Sequence, residues 1–447
     1  MTTRTVTRLV GVVVAATLAL SACGGTSAAP VPTTTAPDFA VDTSTPVGAV
    51  NERILRWINA ENAPDPAEVE AVTGPELAEA VAPLGGLATP LEQLRAGAPN
   101  VATSFEAGPN SGVLHFTTAG IPATITTSIG TDGKLDGFLA RPDTPTISSF
   151  DDLDAALSKV APNYSYSASR LNGGDCESIY SVNADSVLPL GSVFKLYVLG
   201  ALTDEIDAGN IRWEDQLTVR DATKSAPSGE LQNLPDGTKV SVREAAEKMI
   251  SLSDNTATDL LMQRLGRDRV ERQLGVMGHH DPSVMTPMMD TRQFFVIGFG
   301  DPDMREEWSG ADPATRGELL ERADARPLEI DFENFLDNPA SADGVEWFAN
   351  AQDVCAAMGY LANGPGAEEN RRILAITPGV QLDAALWPYS GFKGGSAPGD
   401  LAGAFLATDA AGQDWIVTEQ FRADGAIDLI PSSYAFLVAQ QAFALMK

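Results

Sequence analysis

The sequence is poor in histidine, and this shortage limits the catalytic chemistry that the chain can carry. Its three histidines, His115, His279 and His280, are too few and too poorly spaced for a zinc site. His279 and His280 stand in a turn of glycine, aspartate and proline, where we expect them to be solvated. A Ser-His-Asp triad is therefore disfavoured, and a lysine is the better candidate for a catalytic base. We expect no metal and no cofactor.

Basic residues are also scarce. Lysine and arginine number 30 against 60 acidic residues, which gives a net charge of −30 and a pI of about 4.3. An acidic surface repels phosphates, which argues against a nucleic-acid partner. It argues equally against attachment through anionic lipid headgroups. We interpret the acidity as a source of solubility.

The apolar run near the N-terminus, Leu9 to Leu20, is too short to span a membrane as a stable helix. It follows the basic residues Arg4 and Arg8, an arrangement typical of a signal peptide. The next residues, Leu20-Ser21-Ala22-Cys23, resemble the bacterial lipobox. That resemblance implies cleavage before Cys23 and a lipid, such as palmitate, on the cysteine.

We therefore expect a lipoprotein signal peptide over residues 1–22 and a flexible tether over residues 23–46, which are rich in Thr, Ala, Pro and Ser. The protein would be lipid-anchored at the extracytoplasmic face of the cell membrane. The alternative is an ordinary signal peptide followed by a chance cysteine. In that compartment Cys176 and Cys355 can either pair or remain buried thiols, and the sequence leaves both open.

Residues 47–144 are predicted to form a small α+β domain. Helical periodicity covers residues 50–58 and Pro66 to Val81. Four strand-like runs follow, at Val101–Ala107, Gly112–Thr118, Ile121–Ile129 and Leu135–Ala140. Helices before a curved antiparallel sheet are similar to the cone-shaped steroid-isomerase or nuclear-transport-factor-2 type. We expect a spacer or a protein contact here, with a ligand pocket as the alternative.

Residues 145–447 are predicted to form the larger domain, also α+β. Strand patterns lie at both of its ends, around Asn172-Gly173-Gly174 and from Leu401 onwards, while the middle reads as helical. This order predicts one antiparallel sheet built from the two ends, with a helical subdomain packed against it. Residues 300–345 are rich in charge, glycine and proline, and we interpret them as a surface insertion.

A serine three residues before a lysine is a weak signal, and the chain contains it twice, at Ser192/Lys195 and at Ser390/Lys393. The stretch after Lys195 is almost wholly apolar, which predicts a helix running through a core. Residues three apart share one helix face, so the Lys195 amine can take the proton of the Ser192 hydroxyl. The stretch around Ser390 reads as a strand, in which residues three apart point to opposite faces, so that pair cannot cooperate.

Two further motifs follow in a set order. Ser253-Asp254-Asn255 comes after a helix and before an apolar run, and Lys393-Gly394-Gly395-Ser396 comes later on a predicted strand edge. In this order the motifs resemble those of the penicillin-recognising serine enzymes, namely class A β-lactamases and penicillin-binding proteins. There they read Ser-x-x-Lys, Ser-Asp-Asn and Lys-Thr/Ser-Gly. The resemblance covers about residues 160–447.

The resemblance implies a role for each catalytic residue. Ser192 would attack an amide or ester carbonyl, with neutral Lys195 as the base. Burial and the second positive charge of Lys393 would lower the proton affinity of Lys195. Ser253 would pass a proton to the leaving nitrogen, and Lys393 would attract a substrate carboxylate and polarise Ser253. Asp254 would be structural, holding its loop through backbone N–H groups.

The same resemblance implies a substrate-binding set, Asn255, Gly394, Gly395 and Ser396. Asn255 would hydrogen-bond both the base and a substrate amide. The backbone N–H groups of Ser192 and Ser396 would form the oxyanion hole. Gly394 and Gly395 would let the strand backbone come close to the substrate.

Three features depart from the family pattern. Class A β-lactamases carry a deacylating glutamate on a loop after Ser-Asp-Asn, whereas this chain has no glutamate between Glu271 and Glu306. Asp290 is the available substitute, although its reach is shorter. Gly394 replaces the hydroxyl residue that follows the late lysine, with Ser396 as a partial replacement. The gap before that lysine is long because of the insertion at residues 300–345.

We therefore expect a membrane-anchored serine hydrolase that forms an acyl-enzyme at Ser192 with a β-lactam, peptide or ester, and that turns β-lactams over weakly or not at all. The alternatives are a D,D-peptidase or esterase acting on cell-envelope substrates, and a non-catalytic binding lipoprotein on the same scaffold. The two-domain plan is similar to a subgroup with an isomerase-like N-terminal domain, which includes a protein of the clavulanic acid biosynthesis cluster and actinobacterial lipoproteins. Its N-terminal domain is a candidate surface for a protein partner.

Overall fold

The computed structural model describes residues 39–82, 85–225, 228–330, 335 and 338–446. The predicted signal peptide 1–22, the predicted lipidation site Cys23 and most of the predicted tether 23–46 lie outside these residues. In the described end of the tether, Val41 is buried in an apolar core. This end therefore packs on the fold.

The N-terminal part contains helices followed by an antiparallel sheet, in the predicted order. Its helices are α1 (Pro46–Trp57), α2 (Pro66–Val72), α3 (Pro75–Val81) and α4 (Ala88–Ala96). Its strands are β1 (Val101–Ala107), β2 (Ser111–Thr118), β3 (Ile121–Ile129) and β4 (Leu135–Pro142). The strands pair in chain order as a meander, and their bounds agree with the predicted runs to within two residues. The likeness of this part to the nuclear-transport-factor-2 type stays a prediction.

The single helix predicted from Pro66 to Val81 is wrong, because the structure divides it into α2 and α3. Gly74 is extended between them, with φ −78° and ψ 161°. Pro75 follows, and a proline has no N–H and disfavours helical backbone in the residue before it. The break also connects the helices to the sheet, because the Gly74 N–H donates to the carbonyl oxygen of Leu135 on β4 at 2.7 Å.

The larger part contains the remaining helices and strands. The helices are α5 (Phe150–Leu157), α6 (Lys195–Asp207), α7 (Val242–Ser251), α8 (Asn255–Leu265), α9 (Arg267–Val276), α10 (Thr291–Phe295), α11 (Pro302–Trp308), α12 (Pro313–Asp324), α13 (Ala351–Asn363), α14 (Ala367–Leu374) and α15 (Leu429–Leu445). The strands are β5 (Asn163–Asn172), β6 (Asp175–Val182), β7 (Leu188–Pro189), β8 (Gln216–Thr218), β9 (Lys239–Ser241), β10 (Phe348–Ala349), β11 (Tyr389–Ala397), β12 (Asp400–Thr408) and β13 (Asp414–Arg422).

A five-stranded antiparallel sheet lies at the centre of the larger part, in the order β11-β12-β13-β5-β6. Its strands come from the two ends of this part of the chain, as the sequence predicts. Helix α13 packs on one face, and α5 and α15 pack on or beside the other. Strand β11 is at an edge, which leaves it free to approach the turn before α6.

Helix α15 joins the two parts of the molecule. It packs against β3, β4 and α4 of the N-terminal part and against α5 and β13 of the larger part. One apolar cluster is accordingly continuous from Phe116 in β2 to Phe405 in β12 and Phe443 in α15. Among the described helices, none combines the length and the apolar character that crossing a membrane requires.

The segment 300–345 is packed into the core of the larger part, whereas the sequence predicts a surface insertion there. It contains α11 and α12, whose residues Met304, Trp308 and Leu319 are buried in the core of the larger part. The Arg305 guanidinium pairs with Asp343 at 2.6 Å and donates to backbone carbonyls. The interpretation as a surface segment was wrong. It was based on the many charged residues of the segment, but these alternate with apolar residues on the two helices, and the apolar residues are buried.

Cys176 and Cys355 form a disulfide, with Cα atoms 6.3 Å apart. The bond links edge strand β6 to α13 on the face of the central sheet. Of the two possibilities that the sequence leaves open, the structure shows the paired form.

Candidate active site

The predicted nucleophile lies in a tight turn that leads directly into a buried helix. Residues Gly191–Phe194 form a single 3₁₀ turn, and α6 begins at Lys195. Every residue from Lys195 to Thr203 is buried, as expected for a helix that is apolar on all sides. Ser192 is half-buried, whereas the Lys195 side chain has no solvent exposure. Ser192 is therefore partly exposed in the turn, and the fully buried Lys195 side chain follows it at the start of α6.

The Lys195 amine is held by neighbours from the Ser-Asp-Asn loop. Its Nζ donates to the carbonyl oxygen of Ser253 at 2.7 Å and to Oδ1 of Asn255 at 2.6 Å, and it lies 3.1 Å from the Ser253 hydroxyl. Burial lowers the pKa of Lys195 to about 7, against the opposing charges of Asp254 and Asp259. A substantial fraction of this amine is therefore neutral near neutral pH.

The loop between α7 and α8 is fixed by Asp254. This buried carboxylate caps α8 by accepting the Ala257 N–H at 2.8 Å, and it also accepts the N–H groups of Glu230 at 2.6 Å and Leu231 at 2.9 Å. Ser253, before it, has a left-handed φ of 55°, an uncommon conformation for a residue other than glycine. Asp254 thus holds the backbone that places the Ser253 hydroxyl.

Lys393 reaches the same hydroxyl from strand β11. Its Nζ lies 3.1 Å from Oγ of Ser253 and donates to the carbonyl oxygen of Gly394 at 2.6 Å. The side chain is buried, and burial together with the charge of Lys195 holds the pKa of Lys393 well below its usual range. The Ser253 hydroxyl therefore bridges two buried amines that resist being charged together.

Strand β11 passes against the nucleophile turn with no room for side chains between them. A Cβ added to Gly395 would lie 2.1 Å from the carbonyl oxygen of Leu190 and 2.6 Å from the Ser192 nitrogen. A Cβ added to Gly191, whose φ is 47°, would lie 2.6 Å from the Ser396 nitrogen. The glycines bring the N–H groups of Ser192 and Ser396 to adjacent positions, as an oxyanion hole requires. At Gly394 an added Cβ would lie 2.6 Å from Cζ of the Phe392 ring.

Asp290, the candidate substitute for a deacylating carboxylate, is engaged elsewhere. It caps α10, accepting the Gln293 N–H at 2.8 Å, and burial raises its pKa to about 6. It lines a cavity of about 340 Å³ together with Asp259, Arg267 and Asp324. The residues before it, Met285–Met289, are mainly apolar and partly or wholly buried. The structure thus brings no carboxylate of this stretch into hydrogen-bonding contact with the described lysines.

The structure corrects the expectation that His279 is solvated. The His279 side chain is buried, its Nε2 lies 2.9 Å from the Phe348 carbonyl oxygen, and its Nδ1 accepts the Asp281 N–H. His280 is exposed, and its Nδ1 lies 2.7 Å from Oδ2 of Asp353. Ligand atoms of these two histidines and Asp353 lie within 4.8 Å of one another. Their hydrogen bonds are made within the cluster, to backbone and to the Asn350 side chain. These contacts join the end of α9 to the start of α13.

Two supporting residues had no local signal in the sequence. The Ser228 hydroxyl donates to the Ser253 carbonyl oxygen at 2.8 Å, and the buried carboxylate of Glu346 accepts the N–H of Trp347 at 2.8 Å. Trp347, beside Glu346, stacks on Phe194 with ring centroids 3.9 Å apart. The Ser228 and Trp347 contacts join residues far apart in the chain, so only the tertiary structure could identify them.

Two family models match the chain. Residues 150–322 match the model of the beta-lactamase enzyme family. Residues 42–135 match the model described as the N-terminal part of the ORF 12 gene product. The first match contains Ser192, Lys195 and Ser253-Asp254-Asn255, and it ends before Lys393.

Individual known proteins are also similar to this chain, either over a shorter stretch of sequence or at a lower sequence identity. The β-lactamase VEB-1 of Pseudomonas aeruginosa is 29% identical over 106 residues, which are 23% of this chain and 36% of that protein. The chain thus matches about a third of the length of this curated relative. Among solved structures, a β-lactamase from Sphaerobacter thermophilus is 20% identical, with a TM-score of 0.48 over 67% of this chain and 100% of that one. PBP-A is 17% identical, with a TM-score of 0.45 over 68% of this chain and 99% of that one.

The family match includes the nucleophile turn and the Ser-Asp-Asn loop, whose side chains meet in the geometry described above. Residues 150–322, which carry Ser192, are thus similar to the beta-lactamase enzyme family.

Proposed function

We propose that this chain is a serine hydrolase that forms an acyl-enzyme at Ser192 with a β-lactam or another amide or ester. The observation that carries the proposal is the Ser253 hydroxyl, which lies 3.1 Å from the buried amines of both Lys195 and Lys393 beside the nucleophile turn. A neutral amine three residues after a serine, on one helical turn, is suited to accept the serine proton.

Acylation begins with transfer of the Ser192 proton to neutral Lys195. The serine oxygen bonds to the carbonyl carbon, and the developing oxyanion is stabilised by the N–H groups of Ser192 and Ser396. Lys195 then returns the proton through the Ser253 hydroxyl to the leaving nitrogen or oxygen as its bond to the carbonyl carbon breaks. Lys393 donates to the Ser253 oxygen and so stabilises negative charge that develops there. The net result is an ester at Ser192 and a released or ring-opened amine or alcohol.

Deacylation is the slow step in this proposal. It needs a water activated by a base on the other face of the ester, and class A enzymes use a glutamate there. Here the corresponding stretch is Met285–Met289, and Asp290 is occupied in capping α10. The acyl-enzyme should therefore accumulate, and β-lactam turnover should be poor.

Intact-mass measurement tests the proposal. The full chain is exposed separately to benzylpenicillin, a cephalosporin and a simple phenyl ester, with Ser192→Ala as control. We expect a covalent adduct on the wild type with at least one probe and none on the variant. A wild type unmodified by all three probes, or an adduct that survives in Ser192→Ala, would contradict acylation at Ser192. Rapid hydrolysis of nitrocefin that is lost in Ser192→Ala would contradict the slow deacylation.

One observation favours an ester as an alternative substrate class. Gly394 offers no hydroxyl where the family places one that contacts a substrate carboxylate, so a substrate without a carboxylate loses less affinity here. An esterase, or a D,D-peptidase of the cell envelope, would share the acyl-enzyme step. Release of terminal D-alanine from a muropeptide separates the peptidase from the esterase.

We further propose that the mature protein is attached to the extracytoplasmic face of the membrane through lipid on Cys23. The support is the sequence Leu20-Ser21-Ala22-Cys23 after a basic and apolar leader. Metabolic labelling with an alkyne fatty acid should mark the wild type and not Cys23→Ser. Equal labelling of both would exclude this lipidation site.

A further inference from the structure

Three side chains that commonly bind metal ions meet where the end of α9 approaches the start of α13. His279 and His280 follow the end of α9, and Asp353 lies in the first turn of α13, 73 residues after His280. One ligand atom from each residue lies within 4.8 Å of the other two. Histidine spacing alone indicates no zinc site, but the fold supplies a third ligand from a distant part of the chain.

The ring of His279 is held in the form that binds a metal ion. Its side chain has no solvent exposure, and its Nε2 lies 2.9 Å from the carbonyl oxygen of Phe348. Because a carbonyl oxygen only accepts, Nε2 carries the ring proton and Nδ1 carries the lone pair. Metal-binding histidines usually donate their second ring nitrogen to a carbonyl or carboxylate oxygen, which fixes the orientation of the ring. The Asp281 N–H donates to Nδ1 at 3.2 Å, a long hydrogen bond that an ion would replace.

The distances to Asp353 fit an ion bound between the three residues. Nδ1 of His279 lies 3.9 Å and Nδ1 of His280 lies 2.7 Å from Oδ2 of Asp353. A tetrahedral zinc ion with bonds of about 2.0–2.1 Å keeps its ligand atoms roughly 3.3 Å apart, a value between these two distances. The Asp353 side chain is buried, whereas that of His280 is 44% exposed. The His280 ring can therefore turn to complete the site, and the ion can enter from solvent.

Backbone N–H groups hold the carboxylate of Asp353 in place. Its Oδ1 accepts the His280 N–H at 2.7 Å, and its Oδ2 accepts the Asn350 N–H at 2.9 Å. The Asn350 amide nitrogen, 3.3 Å from Nδ1 of His280, belongs to a neutral group and adds no competing charge. The carboxylate is thus oriented before an ion binds, as ligating carboxylates usually are.

The set of donor atoms favours a transition metal. Two imidazole nitrogens and one carboxylate oxygen suit zinc or copper, whereas calcium and magnesium prefer oxygen ligands. A neutral His280 can carry its ring proton on Nε2, which frees Nδ1 as a ligand. The net charge of −30 also attracts cations to the surface of the protein.

We propose that His279, His280 and Asp353 form a binding site for a divalent transition-metal ion such as zinc. Three protein ligands leave the fourth tetrahedral position to water. The ion joins α9 to α13, and both helices pack against α6, which begins at Lys195. The site therefore stabilises the helices around the nucleophile turn, and it does not depend on acylation at Ser192.

Isothermal titration calorimetry tests the site on the full chain, prepared without a polyhistidine tag and stripped of metal with a chelator. We expect one zinc ion to bind per chain in the micromolar range or more tightly, and no calcium to bind at the same concentrations. His280→Ala removes the exposed ligand and should weaken zinc binding at least tenfold, because even the loss of a group that orients a ligand costs about 10–100-fold.

His115→Ala is the matched control. His115 is the remaining histidine of the chain, and its Nε2 lies 3.5 Å from the exposed carboxylate of Glu106. It therefore offers a partly exposed histidine and carboxylate pair outside the cluster. Zinc should bind this variant as tightly as the wild type. Ser192→Ala should also bind zinc normally, whether or not the wild type forms an acyl-enzyme.

Two further measurements report where the ion lies and what it does. Cobalt(II) in place of zinc should give the visible absorption of a tetrahedral site in the wild type and not in His280→Ala. Excess zinc should raise the Tm of the wild type by a few degrees and that of His280→Ala by less. Absence of zinc binding to the wild type, or equal zinc affinity of the wild type and His280→Ala, would overturn the proposal. Binding that is lost in His115→Ala would also overturn it, because the ion would then lie at the other histidine.

Discussion

The amines of Lys195 and Lys393 meet at one hydroxyl, each with its Nζ 3.1 Å from Oγ of Ser253. Their other hydrogen-bond partners are uncharged oxygens, from backbone carbonyls and from Asn255. Burial lowers the pKa of both lysines, and the charge of Lys195 lowers that of Lys393 further. The site therefore favours the neutral, basic form of lysine that acyl transfer needs.

The first prediction concerns the pH dependence of acylation. Because burial lowers the pKa of Lys195 to about 7, the neutral fraction falls as pH drops through that value, and the acylation rate should fall about tenfold per unit below it. Stopped-time intact-mass assays across neutral pH would show this limb. Lys195→Arg stays charged and should be inactive at every pH. A rate that is independent of pH on the acid side would rule out Lys195 as the base.

The second prediction concerns the proton relay. Ser253→Ala removes the hydroxyl between the two amines and should slow acylation by about 10²–10⁴-fold, the usual contribution of a proton-transfer group. Ser251→Ala is a matched control, because the Ser251 hydroxyl donates only to the Glu247 carbonyl oxygen of its own helix. Similar rates in the two variants would mean that Ser253 takes no part in proton transfer.

The third prediction compares neighbouring glycines on β11. Gly395→Ala would place a Cβ 2.1 Å from the Leu190 carbonyl oxygen, so the strand must move away from the nucleophile turn. We expect a loss of acylation by about 10²-fold or more, comparable to loss of an oxyanion donor. Gly394→Ala would place a Cβ 2.6 Å from Cζ of the Phe392 side chain rather than against the backbone of the nucleophile turn, so it should lose less of the rate than Gly395→Ala. Equal acylation rates in the two variants would show that close packing at Gly395 is unnecessary.

Much of the candidate site was predictable because its information is local. The Ser192/Lys195 spacing has meaning only on a helical turn, and the apolar run after it indicates that turn. The same reasoning excludes Ser390, since β11 is extended through Lys393. The strands of the N-terminal meander and of the central five-stranded sheet were predictable for a similar reason, because period-two alternation and turn residues are properties of neighbouring positions.

The rest depends on contacts between distant positions. His279 is buried because Phe348 and Asp353 lie beside it, some 70 residues later in the chain. Trp347 stacks on Phe194, which lies still farther away in the chain, and nothing near either residue indicates the contact. The pairing of Cys176 with Cys355, 179 residues apart, likewise follows from how α13 packs on the sheet. Sequence patterns identify elements, but the partners of buried polar groups are set by the tertiary fold.

The last prediction concerns the joint between the two parts of the molecule. Phe443 is buried in α15, where it contacts Trp387 edge to face, and this helix packs on both parts. Phe443→Ala should lower the free energy of unfolding by about 3–5 kcal/mol, measured by urea denaturation. Because the apolar cluster is continuous, amide hydrogen exchange should accelerate in β2 and in β13 together. Ala444→Ser, at the exposed neighbouring position, should change neither. Faster exchange confined to β13 would show instead that the N-terminal part unfolds independently of the part that carries Ser192.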